Sequence, residues 1–431
     1  MKKICLMFVS LLLVGCNSSS NKYKGTWENI IANDILSSEN GKVNPFNTAM
    51  NLKYFINEDE LEKENLINDI KTIYQETISD LHKKYDRHCN YYLDDKNHDL
   101  GLYSNIKTVN KSLDSGEYIK LNKETYDLLK LGVEYTKYTN SYFNIFTGSL
   151  TDFWDKIFNE AYNFGDISLD PYYNDEQKLY LEKLTKAIPI TDEDIDKVLE
   201  FKDETCEVKF SSLKDIDNNS KGKISISVGG IAKGVATDIV KEKLLAKGYD
   251  QGYLFSGGSS ISSLSTPIYN NNKGQYLSVL DPRTANMFGE DKKAAFGIYL
   301  KEKFNMSTSG NYTSGKSYGF YDDNEDIIKR HHIINTFTGY SNYSENVASV
   351  SVFSNKLGAG ILDAFSTTLA NMTIEEGLRF RDKVINDYDA DLEIIYIKEN
   401  IKDKTIEIIS TSNFNKTLEL VNKEGSSLRY V

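Results

Sequence analysis

The first group of residues that could do chemistry is a pair of glycines followed by a lysine, between a predicted strand and a predicted helix. The run is Ser227-Val228-Gly229-Gly230-Ile231-Ala232-Lys233-Gly234. Glycine has no Cβ and lets a ligand approach the backbone, and the free amides at a helix start suit a phosphate group. Lys233 in the first turn opposes the helix dipole unless an anion lies beside it. The run therefore predicts either an anion site or a tight strand-to-helix joint with an exposed lysine.

The second group is a carboxylate and a hydroxyl one helical turn apart. Asp363 and Thr367 stand at i and i+4 of a predicted helix over Leu362–Met372, so both side chains project from one face. Mg²⁺ prefers hard oxygen ligands and commonly takes one or two carboxylates, with waters and phosphates as the remaining ligands. With a carbonyl of the Gly229-Gly230 turn, this pair could form a magnesium site. The alternative is a solvated carboxylate and a threonine that bonds its own helix carbonyl.

Two adjacent histidines and an aromatic run complete the candidates. His331 and His332 come after the hydroxyl-rich run Ser307–Tyr312, and adjacent side chains of an extended segment point to opposite sides. At most one of them therefore faces a pocket. An imidazole is the usual proton carrier near neutral pH, although surface histidines at a turn would give the same pattern. The run from Ser141 to Trp154 could present aromatic faces to a flat ligand or pack in the core.

The elements that must position these residues follow from hydrophobic periodicity. A strand is predicted over Asn47–Ile56, and helices are predicted near residues 61–81, 123–140 and 231–248. Further strands are predicted at Gly222–Val228, Tyr253–Phe255, Tyr276–Leu280, Phe296–Leu300, Val347–Phe353, Leu392–Ile397 and Thr405–Ile409. Strands and helices mix without regular alternation, which favours an α+β fold. Residues 155–220 are charged and rich in Tyr and Asn, so we expect an insertion without chemistry there.

Length and charge limit the class of protein. The chain has 431 residues, of which 40% are hydrophobic and 26% charged, as in folded globular proteins. This length exceeds what one core usually fills, so we expect two lobes or one lobe with large insertions. The net charge of -12 repels phosphate backbones, and the sequence has no basic tract to offset it, so nucleic acid is not an expected partner.

The N-terminus is typical of an exported protein. Residues 1–15 combine Lys2 and Lys3 with an apolar run, which predicts a signal peptide, and Leu13-Val14-Gly15-Cys16 looks like the lipobox of a bacterial lipoprotein. We therefore expect lipid on Cys16, a tether over residues 16–43, and a location on the extracytoplasmic face of the cell membrane. An ordinary secretory cleavage site is the alternative. Cys89 and Cys206 could form a disulfide, which the sequence leaves open.

In their order along the chain, these segments resemble the ApbE family, the Mg²⁺-dependent FAD:protein FMN transferases. Gly229–Gly234 resembles the Gly-rich turn of the family, and Asp363-Ala364-Phe365-Ser366-Thr367 resembles its Asp-Ala-x-x-Thr metal motif. Thr308-Ser309-Gly310 and His332-Ile333-Ile334 match two further motifs. Tyr142-Phe143-Asn144 stands where the family has Ala-Phe-Asp, and Phe46-Asn47-Thr48 where it has a strand opening. The resemblance implies a T-fold-related α+β fold of mixed sheets and packed helices in two closely associated lobes, over residues 44–425.

The resemblance also implies roles for particular residues. Mg²⁺ would be bound by the Gly230 carbonyl, the Asp363 carboxylate and the Thr367 hydroxyl, and His332 would assist proton removal. FAD would contact a set of residues from four segments, namely Phe46, Tyr142, Phe143, Asn144, Ser227, Lys233 and Ile334. Three departures from the family pattern put the FAD contacts in question. Ser227 replaces an aspartate, Gly257-Gly258-Ser259 lacks the aspartate of Gly-Gly-Asp, and Asn335-Thr336-Phe337 replaces Asp-Pro-Arg.

The implied reaction moves FMN from FAD to a threonine hydroxyl of an exported acceptor protein, with release of AMP. Two alternatives remain open from the sequence. The same site could hydrolyse FAD to FMN and AMP, with water in place of the threonine. The chain could also be a flavin-binding lipoprotein without turnover, since acidic positions of the family are replaced.

Overall fold

The computed structural model describes residues 24–32, 36–38, 41–93, 100–215, 217–267, 274–284, 292–312, 316–342, 344–411 and 417–431. The predicted signal peptide and the predicted lipidation site Cys16 lie outside them. The helices of the described chain are α1 (Lys63–Tyr85), α2 (Ile106–Lys111), α3 (Lys123–Tyr138), α4 (Gly148–Phe164), α5 (Asp175–Ala187), α6 (Asp192–Val198), α7 (Ala232–Ala246), α8 (Ala359–Ala370) and α9 (Ile374–Tyr388).

Strands in the first half of the chain are β1 (Gly25–Ile31), β2 (Leu36–Ser38), β3 (Gly41–Val43), β4 (Met50–Asn57), β5 (Ile119–Lys120), β6 (Leu199–Lys202) and β7 (Glu207–Phe210). The second half contributes β8 (Gly252–Ser256), β9 (Ser260–Ser263), β10 (Gln275–Leu280), β11 (Ala294–Leu300), β12 (Asn305–Gly310), β13 (Ser317–Tyr321), β14 (Ile327–His331), β15 (Val347–Ser354), β16 (Glu393–Asn400), β17 (Thr405–Ser410), β18 (Leu418–Leu420) and β19 (Ser426–Tyr430). The α+β prediction is confirmed.

A nine-stranded sheet forms the centre of the fold, in the order β1-β4-β8-β9-β12-β15-β16-β17-β19. Its neighbours are antiparallel except β17 and β19, which run parallel. Side chains alternate between its faces, so that Ile394 lies in one hydrophobic core and Ile395 in the other. Helices α1, α7 and α8 contribute to the first core, and strands β10, β11 and β18 contribute to the second. The sheet therefore lies between a helical layer and a small second sheet.

The segment predicted as an insertion is packed into the helical core. Residues 155–220 include most of α4, all of α5 and α6, and strands β6 and β7. Leu181, Ile195 and Phe210 are each fully buried in the same core as the helices on the main sheet. The charged positions that suggested a loose insertion are the solvent faces of amphipathic helices, as the exposed positions of α5 show.

Most predicted elements are confirmed, and the differences have physical reasons. The strand predicted over Gly222–Val228 is wrong, because this extended segment pairs with a loop and a side chain instead of a strand. The Ile226 N–H donates to Asn110 Oδ1 at 2.7 Å, and the Ser227 N–H donates to the Ile145 carbonyl at 2.7 Å. Strands β9 and β12 were not predicted, since their buried positions are filled largely by serine.

Two questions left open by the sequence concern the cysteines and the membrane. Cys89 and Cys206 are both half-buried, and no disulfide joins them. Among the residues described by the structure, no helix is both long and apolar enough to cross a membrane.

Candidate functional site

The diglycine turn leads directly into α7, as the sequence predicted. The Ile231 and Ala232 N–H groups donate to the Val228 carbonyl at 3.0 and 2.8 Å, which closes the turn around Gly229 and Gly230. The Lys233 ammonium folds back and donates to the Gly229 carbonyl at 3.0 Å. The diglycine turn, the start of α7 and the Lys233 ammonium therefore lie side by side.

Helix α8 brings Asp363 to the first turn of α7. The Gly234 N–H donates to Asp363 Oδ2 at 2.8 Å, across 129 positions of sequence. In return, Asp238 of α7 accepts the N–H groups of Ala359 and Gly360 at 2.8 and 2.9 Å, at the start of α8. Each helix thus supplies a carboxylate to the positive end of the other, where a negative charge is favoured.

Two glycines permit this close crossing of the helices. A Cβ on Gly234 would lie 2.3 Å from the Ala359 carbonyl oxygen, and a Cβ on Gly360 would lie 2.6 Å from a methyl carbon of Val235. Any larger residue at either position would push the helices apart. Gly234 is therefore required for packing, which is a role that the sequence analysis did not assign.

Asp363 is a buried carboxylate held by neutral donors. Its side chain is 4% exposed, so the solvated alternative is wrong. Oδ1 accepts hydrogen bonds from the hydroxyls of Ser260 and Ser307, the latter at 2.6 Å. Burial raises the pKa of Asp363, while the charge of Lys233 and these hydrogen bonds oppose the rise. A buried carboxylate without a directly paired cation favours the uptake of positive charge.

Gly230 and Thr367 complete the corner around Asp363. A Cβ on Gly230 would lie 3.5 Å from the Thr367 hydroxyl and 3.1 Å from the Phe143 ring, so these groups surround the glycine. The Thr367 hydroxyl donates to the Asp363 carbonyl at 3.2 Å, the intrahelical bond named as the alternative for this threonine. Its lone pairs remain acceptors. The corner therefore combines a carboxylate, a hydroxyl and a backbone carbonyl from two distant segments.

A chain of serine hydroxyls supports Asp363 from beneath. Ser307 is 3.1 Å from Ser366, and Ser366 is 2.8 Å from Ser309. Ser260 lies on β9, and Ser307 and Ser309 lie on β12. Sequence analysis singled out the run that begins at Ser307 without giving Ser307 a role, and it missed Ser260 and Ser366. Two serine-rich runs of strand length could have indicated these residues. Ser260 lies in the run that follows Gly257-Gly258, and Ser307 lies in the run that follows Phe304.

The two histidines have different environments. His331 is 1% exposed, accepts the Ile333 N–H at Nδ1 and lies 3.0 Å from the Asn342 carbonyl through Nε2. Burial lowers its pKa to about 3, so it is a neutral structural residue. His332 is exposed. Desolvation by the protein around it, followed by the charges of Lys316 and Lys233, lowers the pKa of His332 to about 4, against the charge of Asp155.

The aromatic run Tyr142-Phe143-Asn144 lies beside the corner, and its members differ in access. Phe143 is buried and contacts Gly230. Tyr142 is half-buried, and its ring lies 5.3 Å from that of Phe337. Asn144 is 6% exposed, with Nδ2 bonded to the Pro189 carbonyl and Oδ1 to the Phe146 N–H. Tyr142 therefore has surface for a ligand, whereas the side chain of Asn144 is used in folding this loop.

The remaining predicted contacts lie on loops around the same corner. Ser227 is half-buried next to the diglycine turn. Ile334 is half-buried, and its carbonyl accepts Asn371 Nδ2 at 3.3 Å, as does the Tyr142 carbonyl. Asn371, at the end of α8, thus joins these two loops to the metal-motif helix, a role that the sequence analysis missed.

Phe46 lies in the turn Pro45–Asn47, whose following residue, Thr48, is close to the site. Two residues later, Thr48 Oγ1 would lie 2.9 Å from a Cβ on Gly257, and the Lys233 side chain would lie 3.3 Å from it. The Gly257 N–H donates to the Ala49 carbonyl at 2.8 Å. Phe46 itself is half-buried.

Within the described residues, no group of three or more His, Cys, Asp or Glu side chains could hold a metal ion. The corner around Asp363 offers one carboxylate only. Such a donor set suits an ion that keeps waters or substrate phosphates as ligands, which is the habit of Mg²⁺.

A family model described as "ApbE family" matches residues 46–391. No curated protein matches the chain at a significant level.

Several solved structures have the same fold at low sequence identity. The flavin transferase ApbE from Vibrio cholerae is 16% identical with a TM-score of 0.59, covering 91% of this chain and 99% of its own. The ApbE protein from Thermotoga maritima is 19% identical with a TM-score of 0.57, covering 88% and 96%. The apo flavinyl transferase ApbE from Pseudomonas stutzeri is 14% identical with a TM-score of 0.54, covering 91% and 96%.

Proposed function

The chain belongs to the ApbE family, and from this premise we propose that it is a flavin transferase that moves FMN from FAD to a threonine hydroxyl of an exported acceptor protein. The observation that carries the proposal is the meeting of Gly230, Asp363 and Thr367 around one corner. Structural neighbours that are named flavin transferases support it further.

The residues of the corner fit a magnesium ion. Asp363 Oδ2 accepts the Gly234 N–H, and a carboxylate oxygen has a second lone pair that can face a cation. The Thr367 hydroxyl and the Gly230 carbonyl are the other candidate ligands. Bound there, the ion would neutralise the pyrophosphate of FAD and orient it.

Residues of the chain itself would attract and orient the nucleotide. The start of α7 supplies the positive end of the helix dipole, which favours a phosphate. Lys233 adds a charge beside the diglycine turn. Tyr142 supplies aromatic surface close by, and flat rings of a flavin nucleotide pack on such faces.

His332 is the proposed proton acceptor. Its pKa of about 4 keeps the imidazole neutral at pH 7, so a nitrogen lone pair is free to accept the threonine proton. In the proposed step, the threonine oxygen forms a bond to the FMN phosphorus and the bond from that phosphorus to the bridging oxygen breaks. AMP leaves with the bridging oxygen, and His332 receives the proton.

We further propose that lipid on Cys16 holds the protein at the extracytoplasmic face of the membrane. The lipobox-like run Leu13-Val14-Gly15-Cys16 supports this, and it lies outside the described residues. Several buried acyl chains would hold a folded domain there, at about 0.8 kcal/mol per buried methylene. The acceptor would then be exported as well.

The test is incubation of the purified chain with FAD, Mg²⁺ and a candidate exported acceptor, followed by intact-mass measurement of the acceptor. A mass gain that matches FMN, with equal AMP release, is expected. The matched control is an acceptor with its target threonine changed to valine, which should gain no mass.

Two outcomes would replace the proposal. Release of AMP and free FMN without any acceptor would indicate FAD hydrolysis. Tight FAD binding with no AMP, even with Mg²⁺ and a range of acceptors, would indicate a binding protein without turnover.

A further inference from the structure

The turn over Pro45–Asn47 has an unusual backbone. Phe46 has φ 55° and Asn47 has φ 53°, in the left-handed region. This region is uncommon for a bulky residue such as phenylalanine, and a residue held in such a sparsely populated conformation costs about 1–3 kcal/mol. The conformation persists only where the surrounding structure imposes it. A specific contact must therefore fix Phe46.

That contact comes from His82 near the end of α1. The Phe46 N–H donates to His82 Nδ1 at 2.9 Å, so Nδ1 carries no proton. On the other side of the ring, Nε2 lies 2.9 Å from the Tyr91 hydroxyl, which donates to Asp86 Oδ2 at 2.7 Å. Because the hydroxyl proton points to Asp86, Nε2 must be the donor to Tyr91. The three residues therefore set one tautomer of His82, the one that can accept the Phe46 N–H.

The arrangement is buried and rigid. His82 is 4% exposed and Tyr91 is 2% exposed, so water does not compete for these hydrogen bonds. The ring of Phe46 also lies 5.5 Å from the His82 ring and 6.3 Å from the Tyr85 ring, edge-on in both cases. One part of the Phe46 ring is thus packed, and the rest remains accessible, because the residue is only half-buried.

The turn Pro45–Asn47 lies next to residues of the candidate site. Thr48 and Lys233 flank the same glycine, Gly257, and Lys233 bonds the diglycine turn. The turn Pro45–Asn47 therefore leads directly into a residue beside Lys233, at the edge of the diglycine turn.

We propose that His82, oriented by Tyr91 and Asp86, is a positioning residue that fixes Phe46 as one wall of the flavin-nucleotide site. The proposal rests on the proposed function, because it takes FAD as the ligand. His82 acts only through Phe46 and does not touch the substrate.

The test is a double-mutant cycle on the full mature chain, with FAD affinity measured by flavin fluorescence in the absence of acceptor. Phe46→Ala should weaken FAD binding by ~10-fold, and His82→Leu, which removes the acceptor, by a similar factor. If His82 acts through Phe46, adding His82→Leu to Phe46→Ala should change the affinity by less than about 2-fold. The effect in turnover should appear in KM for FAD, with kcat little changed.

Two further variants separate positioning from general stability. His82→Asn keeps an acceptor near the place of Nδ1 and should restore most of the affinity. Ile70→Ala removes a buried side chain of the same helix, about 18 Å away along the axis, and should lower stability without changing FAD affinity. The chain has 5 histidines, so ¹⁵N NMR can assign His82 and should show a proton on Nε2.

Some results would overturn the positioning role of His82 alone, and one would also overturn the proposed function. Additive effects of the two mutations, or unchanged affinity in His82→Leu, would overturn the positioning role while leaving the transferase proposal intact. A proton on Nδ1 would do the same. A wild-type chain that binds no FAD would overturn the proposed function and this inference together.

Discussion

Two buried carboxylates, Asp170 and Asp363, are held in opposite ways. Asp170 is 0% exposed and is bonded by the guanidinium of Arg330 at 2.8 and 3.0 Å, with the Tyr318 hydroxyl at 2.6 Å. Asp363 is 4% exposed and is bonded by two serine hydroxyls and a backbone N–H. The fold supplies a full countercharge to the first carboxylate and only neutral donors to the second. The comparison teaches that burial alone does not indicate function, and that the partners of a buried carboxylate decide whether it can take up a further cation.

The sharpest test of this comparison is Asp363→Asn. The amide keeps the shape of the side chain but removes the charge, so flavin transfer should fall by ~10³-fold as the ion is lost. The free energy of unfolding should change little or rise, because an uncompensated buried charge is removed. Acceptor mass and urea unfolding measure the two effects, and a variant with full Mg²⁺-dependent activity would remove the metal assignment.

The complementary experiment is Asp170→Asn, which should mainly lower the free energy of unfolding. It leaves the Arg330 charge buried without its partner, at a cost of about 3–5 kcal/mol in urea unfolding. The matched control is the double change Asp170→Leu with Arg330→Met, which removes both charges and should recover part of that loss. If Asp170→Asn were as stable as the wild type, the contrast between the two carboxylates would fail.

Added Mg²⁺ should stabilise the protein through Asp363. At a concentration 100 times its dissociation constant, Mg²⁺ should raise the free energy of unfolding by about 2.7 kcal/mol. It should not raise the free energy of unfolding of Asp363→Asn. Burial raises the pKa of Asp363, so the folded state holds the proton more tightly than the unfolded state. Protons therefore compete with the ion, and the Mg²⁺ effect should shrink as the pH falls through that raised pKa. Thermal unfolding with Mg²⁺ or EDTA at several pH values measures this, and an equal shift in the variant would contradict it.

Ser307→Ala should give the smallest effect. It removes one donor to Asp363 Oδ1 and should cost about 1 kcal/mol, seen as a ~5-fold higher Mg²⁺ requirement. Ser263→Ala is the control, because this buried serine of β9 bonds the Phe304 carbonyl instead of Asp363. Equal Mg²⁺ requirements in the two variants would mean that the hydroxyl does not orient the carboxylate.

The sequence predicted the apolar elements well and the polar ones poorly. Strand β15 alternates apolar residues with serines, and strand β16 begins with the apolar run Ile394–Ile397, so hydrophobicity located both. Strands β9 and β12 have fewer apolar positions, and they bury Ser260 and Ser307 as donors to Asp363, a use of serine that a burial pattern does not predict because serine is usually exposed. Family resemblance gave Asp363 and Thr367 by motif, but not the serines that hold Asp363. His82 was also missed, since its role depends on a contact across 36 positions.

The reciprocal contact between α7 and α8 has a consequence for how this site can vary. Because the amide of Gly234 meets the carboxylate of Asp363 and Asp238 meets the start of α8, the two halves of the corner are fastened by their helix ends. Strands β9 and β12, which lie between the two helices in sequence, add Ser260 and Ser307 as donors to Asp363. Loops in that stretch that contact neither helix can therefore differ in length without moving Asp363 away from Gly234.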